Sequence, residues 1–195
     1  MATQRQPAER TLEAELFGKG ITFDYSETWI AEAILGLRLV MGYVLFSAGL
    51  GKLAEGGWTT LGGWTAEGYL VHGVAEANPL KGMFLFFAEY LWLIDPLVMW
   101  TQILIGLALL LGVFVRLAVL GAAMQMLLFW MGAWEAGLMA GLPVANGYVI
   151  DSSFVYALIL FGLGAVGAGR ILGLDAKLER TEFVQDNAWL RYLLG

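Results

Sequence analysis

Long apolar runs separated by short polar segments dominate this chain. Four of the runs, at about 29–53, 95–115, 117–134 and 152–172, are long enough to cross a lipid bilayer as helices. Each holds roughly 18–25 residues, which is what a hydrocarbon layer about 30 Å thick requires. The pattern predicts an all-α fold, an integral membrane four-helix bundle.

Polar residues next to the runs predict where the helices begin. Asp24 and Glu27 have the spacing of a capping box ahead of the first run. Asp95 and Pro96 predict an N-cap and a first helical position at the second run. Asp151 or the serine after it predicts the start of the fourth helix.

One further apolar segment, 82–94, is too short to cross a membrane. Asn78 and Pro79 mark its start, and Glu89 interrupts it. The segment predicts an additional interfacial or re-entrant helix within the long first exterior loop. Ahead of this segment the sequence GGWT occurs at 56–59 and again at 62–65. The repeat predicts either a pair of surface turns or a binding loop.

The basic residues predict an orientation for the bundle. With the amino terminus inside, eight of them are cytoplasmic, whereas only Lys52 and Lys81 are exterior. The eight are Arg5, Arg10, Lys19, Arg116, Arg170, Lys177, Arg180 and Arg191. The sequence therefore predicts a multi-pass protein of the cell membrane with both termini in the cytoplasm. Its predicted parts are an acidic amphipathic tail (1–28), a four-span domain (29–175) and a C-terminal segment (176–195).

Composition supports the membrane assignment and restricts the chemistry. Hydrophobic residues make up 59% of the chain and charged residues 14%, against about 45–50% and 25% in soluble domains. There is no cysteine and a single histidine, His72, which excludes a disulfide relay, a thiolate nucleophile, iron–sulfur ligation and a bis-histidine haem within one subunit. No metal site is expected.

The net charge of −6 is the reverse of what a nucleic-acid-binding protein carries. The polar segments are rich in acidic residues and poor in lysine, as in proteins that stay soluble in concentrated salt. An extreme halophile is a plausible source, and chance acidity is the alternative.

The first predicted helix carries a charge near each end of one face. Arg38 and Lys52 lie on the same side, about 21 Å apart along the axis. Small or smooth residues lie between them at Gly42, Leu45 and Gly49. The second predicted helix repeats this spacing with Gln102, Gly106, Leu109 and Arg116. The match is either an internal repeat or a chance similarity.

Three stretches resemble the DoxX/DoxD family of four-helix membrane proteins: LRLVMGYVLFSAGLGKL, GLALLLGVFVRLA and GAGRILGLD. The resemblance extends from about residue 37 to 175. It implies a redox-linked membrane role, since the family includes the small membrane subunit of a thiosulfate:quinone oxidoreductase. Gln102 stands where family members often carry an acidic residue, so the resemblance does not extend to carboxylate-dependent proton chemistry there.

Two groups of polar residues are candidate sites. Arg38 is predicted to form a structural ion pair with Asp175, the alternative being a ligand or proton role. A quinone- or lipid-binding pocket is predicted in the exterior half, the alternative being an aromatic belt with capped helix ends. Its candidate residues are Lys52, Gln102, Glu89, Trp92 and Trp130. Gln125 is expected to make an interhelical hydrogen bond.

Three functions remain open from the sequence. The first is a membrane subunit of a quinone-linked oxidoreductase, with quinone as the cofactor and the redox centre on a partner. The second is a non-catalytic scaffold or assembly subunit, and the third a small transporter, which the apolar bundle disfavours. In each case the expected partners are membrane lipids and other subunits, with which the chain forms a homo-oligomer or a hetero-oligomer. Nucleic acid is not an expected partner.

Overall fold

The computed structural model describes residues 9–55, 63–135 and 149–195, which are mostly helical. Within these ranges three helices are long and apolar enough to cross a membrane: α1 (Glu27–Glu55), α3 (Leu91–Leu111) and α4 (Val115–Gly132). Between α1 and α3 lie a π-helical turn (Gly68–Gly73) and the short helix α2 (Lys81–Ala88). The GGWT repeat falls mainly outside the described residues.

The fourth predicted span is shorter than expected. Helix α5 covers Ser152–Ala165, which is about 21 Å at 1.5 Å per residue. Gly167 then adopts a left-handed conformation with φ of 67°, and a 3₁₀ turn (Ala168–Arg170) follows. The continuous helix predicted to about residue 172 is therefore wrong in its extent, because the left-handed glycine ends the helical path.

A β-hairpin lies within the segment predicted as an acidic amphipathic tail, so the all-α prediction is incomplete. Strands β1 (Glu9–Leu16) and β2 (Lys19–Ser26) pair antiparallel, with Leu12 opposite Phe23. Phe17 and Gly18 connect them with φ of 52° and 75°, as a type I′ turn requires. The sheet has an apolar face and an acidic face, because side chains alternate along each strand.

The start of α1 differs from the predicted capping box. Asp24 lies within β2 and accepts a hydrogen bond from the Thr11 hydroxyl at 2.6 Å. Ser26 is the residue whose hydroxyl oxygen faces the first turn of the helix, 3.4 Å from the Trp29 nitrogen. Cross-strand pairing of β2 therefore determines where Asp24 lies.

Close antiparallel packing of α1 on α3 forms the centre of the bundle. Glycines allow it: a Cβ atom at Gly42 would lie 3.0 Å from the Leu110 nitrogen, and one at Gly49 would lie 2.8 Å from the Ile103 nitrogen. Helix α4 packs on α3 and, along its other side, on α5. The buried core between these helices includes Met41, Leu45, Leu109, Ala122 and Leu160.

Helix α3 begins earlier than predicted. The chain turns at Glu89 and Tyr90, α3 starts at Leu91, and Pro96 lies inside the helix. The carboxylate of Asp95 accepts a hydrogen bond from the Ala66 nitrogen at 2.8 Å instead of capping α3. The predicted additional short helix is present as α2, but it ends at Ala88.

The chain after α5 folds back against the turn between α3 and α4. It contains α6 (Asp175–Leu178), α7 (Glu182–Asp186) and a 3₁₀ segment (Ala188–Tyr192). Val184, Leu190 and Leu194 form a small buried cluster. The backbone of this segment also bonds directly to the bundle, from the Leu117 nitrogen to the Leu193 oxygen at 3.2 Å.

Candidate functional site

A cavity of about 610 Å³ lies between α3 and α4, beneath a roof formed by the π-helical turn and α2. Ligand cavities in proteins typically measure roughly 300–1,000 Å³ and are lined mainly by apolar and aromatic groups. This one fits that description. Its aromatic lining is Trp64, Tyr69, Phe84, Phe87 and Phe129.

Tyr69 attaches the roof to α4. Its hydroxyl donates a hydrogen bond to the Phe129 carbonyl oxygen at 3.0 Å, and its ring packs edge-on against Phe84 and Phe129. Burial, with a smaller contribution from Asp151, raises the pKa of the Tyr69 phenol to about 12. Tyr69 therefore remains a neutral hydrogen-bond donor at physiological pH.

Asn78 makes the second attachment between the roof and α4. Its side-chain nitrogen donates to the carbonyl oxygens of Met131 (2.9 Å), Gly132 (3.3 Å) and Trp134 (2.8 Å). These carbonyls lie at the end of α4, where intrahelical donors run out. The sequence marked Asn78 only as the start of a helix; its role depends on a contact 53 or more residues away.

Lys81 stabilises the roof from within. Its ammonium group donates to the carbonyl oxygens of Val71 and Val74, each at 2.6 Å, and forms an ion pair with Glu76 at 3.2 Å. Although the side chain is buried, its charge is satisfied by these three oxygens. Lys81 closes the π-helical turn, a role that the charge count along the sequence does not reveal.

Two polar side chains face each other across α3 and α4 in the cavity wall. Gln125 Nε2 donates to Thr101 Oγ1 at 3.3 Å, which confirms the predicted interhelical hydrogen bond of Gln125. Thr101 Oγ1 in turn donates to the Leu97 carbonyl oxygen at 2.6 Å. Gln125 Oε1 is buried and has no hydrogen-bond partner among the described residues.

Lys52 and Gln102, predicted to form the pocket, do not line this cavity. The Lys52 ammonium lies 3.4 Å from the Ala48 carbonyl oxygen and 5.1 Å from the centre of the Trp64 ring, on which it makes a cation–π contact. Gln102 is only 3% exposed and lies among the packed helices. Trp64 thus separates Lys52 from the cavity.

The other three predicted pocket residues also lie elsewhere. Glu89 is exposed at the turn between α2 and α3, and Trp92 is 76% exposed. Trp130 packs against Trp134 and Phe154, and its indole nitrogen donates to the Val149 carbonyl oxygen at 2.9 Å. The predicted convergence of the five residues is wrong, because none of them lines the cavity and Glu89 and Trp92 are exposed while Gln102 is buried.

Arg38 and Asp175 are both buried, but they do not form the predicted direct ion pair, as neither appears among the ion pairs of the described residues. Arg38 Nη1 donates to the carbonyl oxygens of Ala168 (2.6 Å) and Ile171 (2.8 Å). The contact prediction is wrong, because backbone carbonyls freed by the end of α5 are the nearer acceptors.

Asp175 uses its carboxylate to cap α4 from a distant part of the chain. It accepts hydrogen bonds from the backbone nitrogens of Phe114 (2.7 Å), Val115 (3.0 Å) and Gly195 (2.9 Å). A carboxylate is favoured at a helix N-terminus, where backbone N–H groups are unsatisfied. Arg38 and Asp175 therefore join the C-terminal segment to the bundle.

Within the described residues no group of three or more histidine, cysteine, aspartate or glutamate side chains is placed to hold a metal ion. The lining of the cavity offers apolar contacts and polar groups for hydrogen bonding. Comparison of the chain with protein-family models gives no match, and neither the curated proteins nor the solved structures include one. Similarity to the DoxX/DoxD family thus stays a prediction from the sequence motifs.

Proposed function

We propose that this protein is the membrane-integral subunit of a quinone-linked oxidoreductase and that the cavity between α3, α4 and the roof binds the quinone. The observation that carries the proposal is an aromatic cavity whose wall also includes the polar residues Thr101, Gln125, Asp151 and Ser153. A quinone ring packs on aromatic side chains, its oxygens require polar partners, and its isoprenoid tail suits the apolar wall.

A membrane location is supported by the outward faces of the helices. Large apolar side chains are exposed along them, as a bilayer accommodates and water does not. Examples are Val40, Leu104, Leu120, Leu158 and Phe161. The proposed orientation, with both termini cytoplasmic, rests on the asymmetry of basic residues.

Single-cysteine labelling tests this orientation, since the chain contains no native cysteine. Glu67 and Arg180 are exposed and lie on the two sides assigned by the proposal. A membrane-impermeant maleimide applied to intact cells should label Glu67→Cys and leave Arg180→Cys unlabelled until the cells are opened. Labelling of Arg180→Cys alone in intact cells contradicts the orientation.

The redox centre is assigned to a partner subunit. The chain has no cysteine and one histidine, His72, so its own residues do not bind an iron–sulfur cluster or a bis-histidine haem. In the proposed assembly electrons arrive from a partner that oxidises a donor such as thiosulfate, the donor that the DoxX/DoxD resemblance implies. The present chain contributes the quinone site.

Photo-crosslinking tests quinone binding directly. An azido-quinone added to the protein in lipid nanodiscs should label peptides of α3, α4 or the roof, and excess ubiquinone should suppress the labelling. Gly121→Phe should abolish it, because Gly121 lines the cavity and a Cβ there already lies 3.3 Å from Ile105 Cδ1.

Gly162→Phe is the matched control, since a Cβ at Gly162 meets no described atom within 4 Å and the residue lies on α5, outside the cavity lining. Labelling in this variant should equal that of the wild type. Labelling that excess ubiquinone does not suppress contradicts the proposal and leaves the non-catalytic scaffold as the surviving alternative.

A further inference from the structure

The β-hairpin separates its side chains by chemistry between the two faces of the sheet. Leu12 lies opposite Phe23 in the antiparallel register, and Leu16 lies opposite Lys19. Because side chains alternate along each strand, one face, the apolar face, carries the large apolar residues Leu12, Leu16, Ile21, Phe23 and Tyr25. The other, the acidic face, carries all four carboxylates of the two strands: Glu9, Glu13, Glu15 and Asp24.

The described part of the chain leaves much of the apolar face uncovered. Phe23 is 48% exposed and Leu16 is 51% exposed, and Phe17 in the turn is completely exposed. The rings of Phe23 and Tyr25 lie next to each other, with their centres 6.3 Å apart. A continuous apolar surface of this kind marks an interaction site for a protein or a membrane.

The hairpin joins a membrane-crossing helix without a linker. Strand β2 ends at Ser26 and α1 begins at Glu27, and Arg10 Nε lies 2.9 Å from Glu27 Oε1, which holds β1 at the same point. Helix α1 has 29 residues, about 43 Å at 1.5 Å per residue, whereas the hydrocarbon layer is about 30 Å thick. Because Glu27 and Glu32 are charged, the first turns of α1 belong in the headgroup layer, where the exposed Trp29 is also favoured. The hairpin therefore starts at the membrane surface.

The distribution of charge favours a lipid surface as the occupant of the apolar face. This face also carries both basic residues of the strands, Arg10 and Lys19. Lys19 is exposed, and no described residue forms an ion pair with it. Apolar side chains combined with a cation suit the boundary between acyl chains and phosphate groups, whereas an acidic face suits water. A purely apolar protein partner would not require this separation of charge.

We propose that the hairpin is a membrane-surface anchor, whose apolar face lies against the phospholipids of the leaflet in which α1 begins. Leu12, Leu16 and Phe23 enter the region between the headgroups and the acyl chains, Lys19 lies beside a lipid phosphate, and the acidic face points to water. This role goes beyond the proposed function and holds whether or not the cavity binds a quinone. An anchor of this kind restricts the tilt and rotation of α1.

Spin labels on the full chain test the proposal, since the chain contains no native cysteine. Single nitroxides are attached to Leu12→Cys, Phe23→Cys, Glu13→Cys and Thr22→Cys in nanodiscs of phosphatidylcholine and phosphatidylglycerol that each hold one copy. The first two positions are a cross-strand pair on the apolar face, and the last two are the neighbouring pair on the acidic face, which makes them the matched control. Oxygen concentrates among acyl chains, whereas the neutral complex of nickel with ethylenediaminediacetate stays in water. We expect the ratio of oxygen to nickel collisions to be at least fivefold higher on the apolar face.

Two results would overturn the anchor. High nickel accessibility at all four positions would show that the hairpin stands in water or does not form. Few collisions with either reagent at Leu12 and Phe23 would show that protein, and not lipid, covers the apolar face.

Lys19 provides a separate test of the lipid contact. Lys19→Glu should lower the ratio measured at Phe23→Cys, because the new carboxylate is repelled by the anionic phosphates. Lys19→Arg keeps the charge and should leave the ratio unchanged. A ratio that is the same in both variants would contradict the contact between Lys19 and phosphate.

Discussion

Arg38 and Ala168 are joined by a 2.6 Å hydrogen bond from guanidinium Nη1 to the backbone carbonyl oxygen, although 130 residues separate them along the chain. The same nitrogen donates to the Ile171 carbonyl oxygen at 2.8 Å. Gly112 and Gly173 make room for the guanidinium, since a Cβ atom at either would lie within 2.9 Å of Nη1. A single buried arginine thus fixes the path of the chain after α5.

Replacing Arg38 with methionine should lower the free energy of unfolding by about 3–5 kcal/mol, because two carbonyl groups lose a charged donor and the buried carboxylate of Asp175 loses its compensating charge. Thermal unfolding in detergent measures the change. Exchanging the two charges, Arg38→Asp with Asp175→Arg, should not restore stability, because each new side chain would face backbone groups of the wrong polarity. Recovery in the double variant would indicate a direct ion pair.

Gly49→Ala and Gly51→Ala test the close approach of α1 and α3. A Cβ at Gly49 would lie 2.6 Å from Ile103 Cγ1 and 2.8 Å from the Ile103 nitrogen, whereas one at Gly51 meets no described atom within 4 Å. Gly49→Ala should therefore destabilise the protein by about 1–3 kcal/mol through overpacking. Gly51→Ala should be neutral or stabilise it by up to about 1 kcal/mol. Equal unfolding temperatures for the two variants would contradict this packing.

Tyr69 should make stability fall at high pH. Its folded-state pKa of about 12 lies above the ordinary tyrosine value of 10.0, so above pH 10 the unfolded state loses the proton first. The stability that depends on the Tyr69 proton is therefore fully present below pH 10. It is lost progressively as the pH rises toward 12. Tyr69→Phe should remove this dependence, which the unfolding temperature measured as a function of pH would show. A Tyr69 phenol that titrates near pH 10 would contradict its burial.

Phe17→Asn should stabilise the hairpin. Phe17 has φ of 52° in the two-residue turn, a region that costs a residue with a Cβ about 1–2 kcal/mol and that asparagine tolerates better. Hydrogen exchange of the β1 and β2 amides should slow in Phe17→Asn and accelerate in Phe17→Val, whose branched side chain tolerates positive φ least. Faster exchange in the asparagine variant would exclude a type I′ turn.

Local patterns in the sequence predicted local structure well. The apolar runs predicted four spanning helices, and within the described residues three of the four are long enough to cross a membrane, whereas the fourth is a shorter apolar helix. Asp151 was predicted to begin the last long helix, and its carboxylate does accept a hydrogen bond from the Phe154 nitrogen at 2.9 Å. These predictions succeeded because hydrophobic run length and helix capping depend on residues within a few positions of one another.

The hairpin was missed although its signal is present in the sequence. Apolar residues alternate with polar ones around Leu12 and Leu16, and again around Ile21 and Phe23. Alternation with a period of two indicates strands. The acidic residues that alternate with these apolar ones instead indicated a polar tail. Phe17 is also not a residue that predicts a tight turn.

The sequence by itself determined the apolar helices and the polar residues within them, but only the tertiary structure decided which groups those residues meet. Asp95 bonds to the Ala66 nitrogen, and Arg38 bonds to carbonyls beyond α5. The cavity forms because Tyr69 and Asn78 hold the roof against the end of α4. Each of these contacts joins segments far apart in the chain, and a pattern of nearest neighbours carries no information about which distant backbone groups are left unsatisfied.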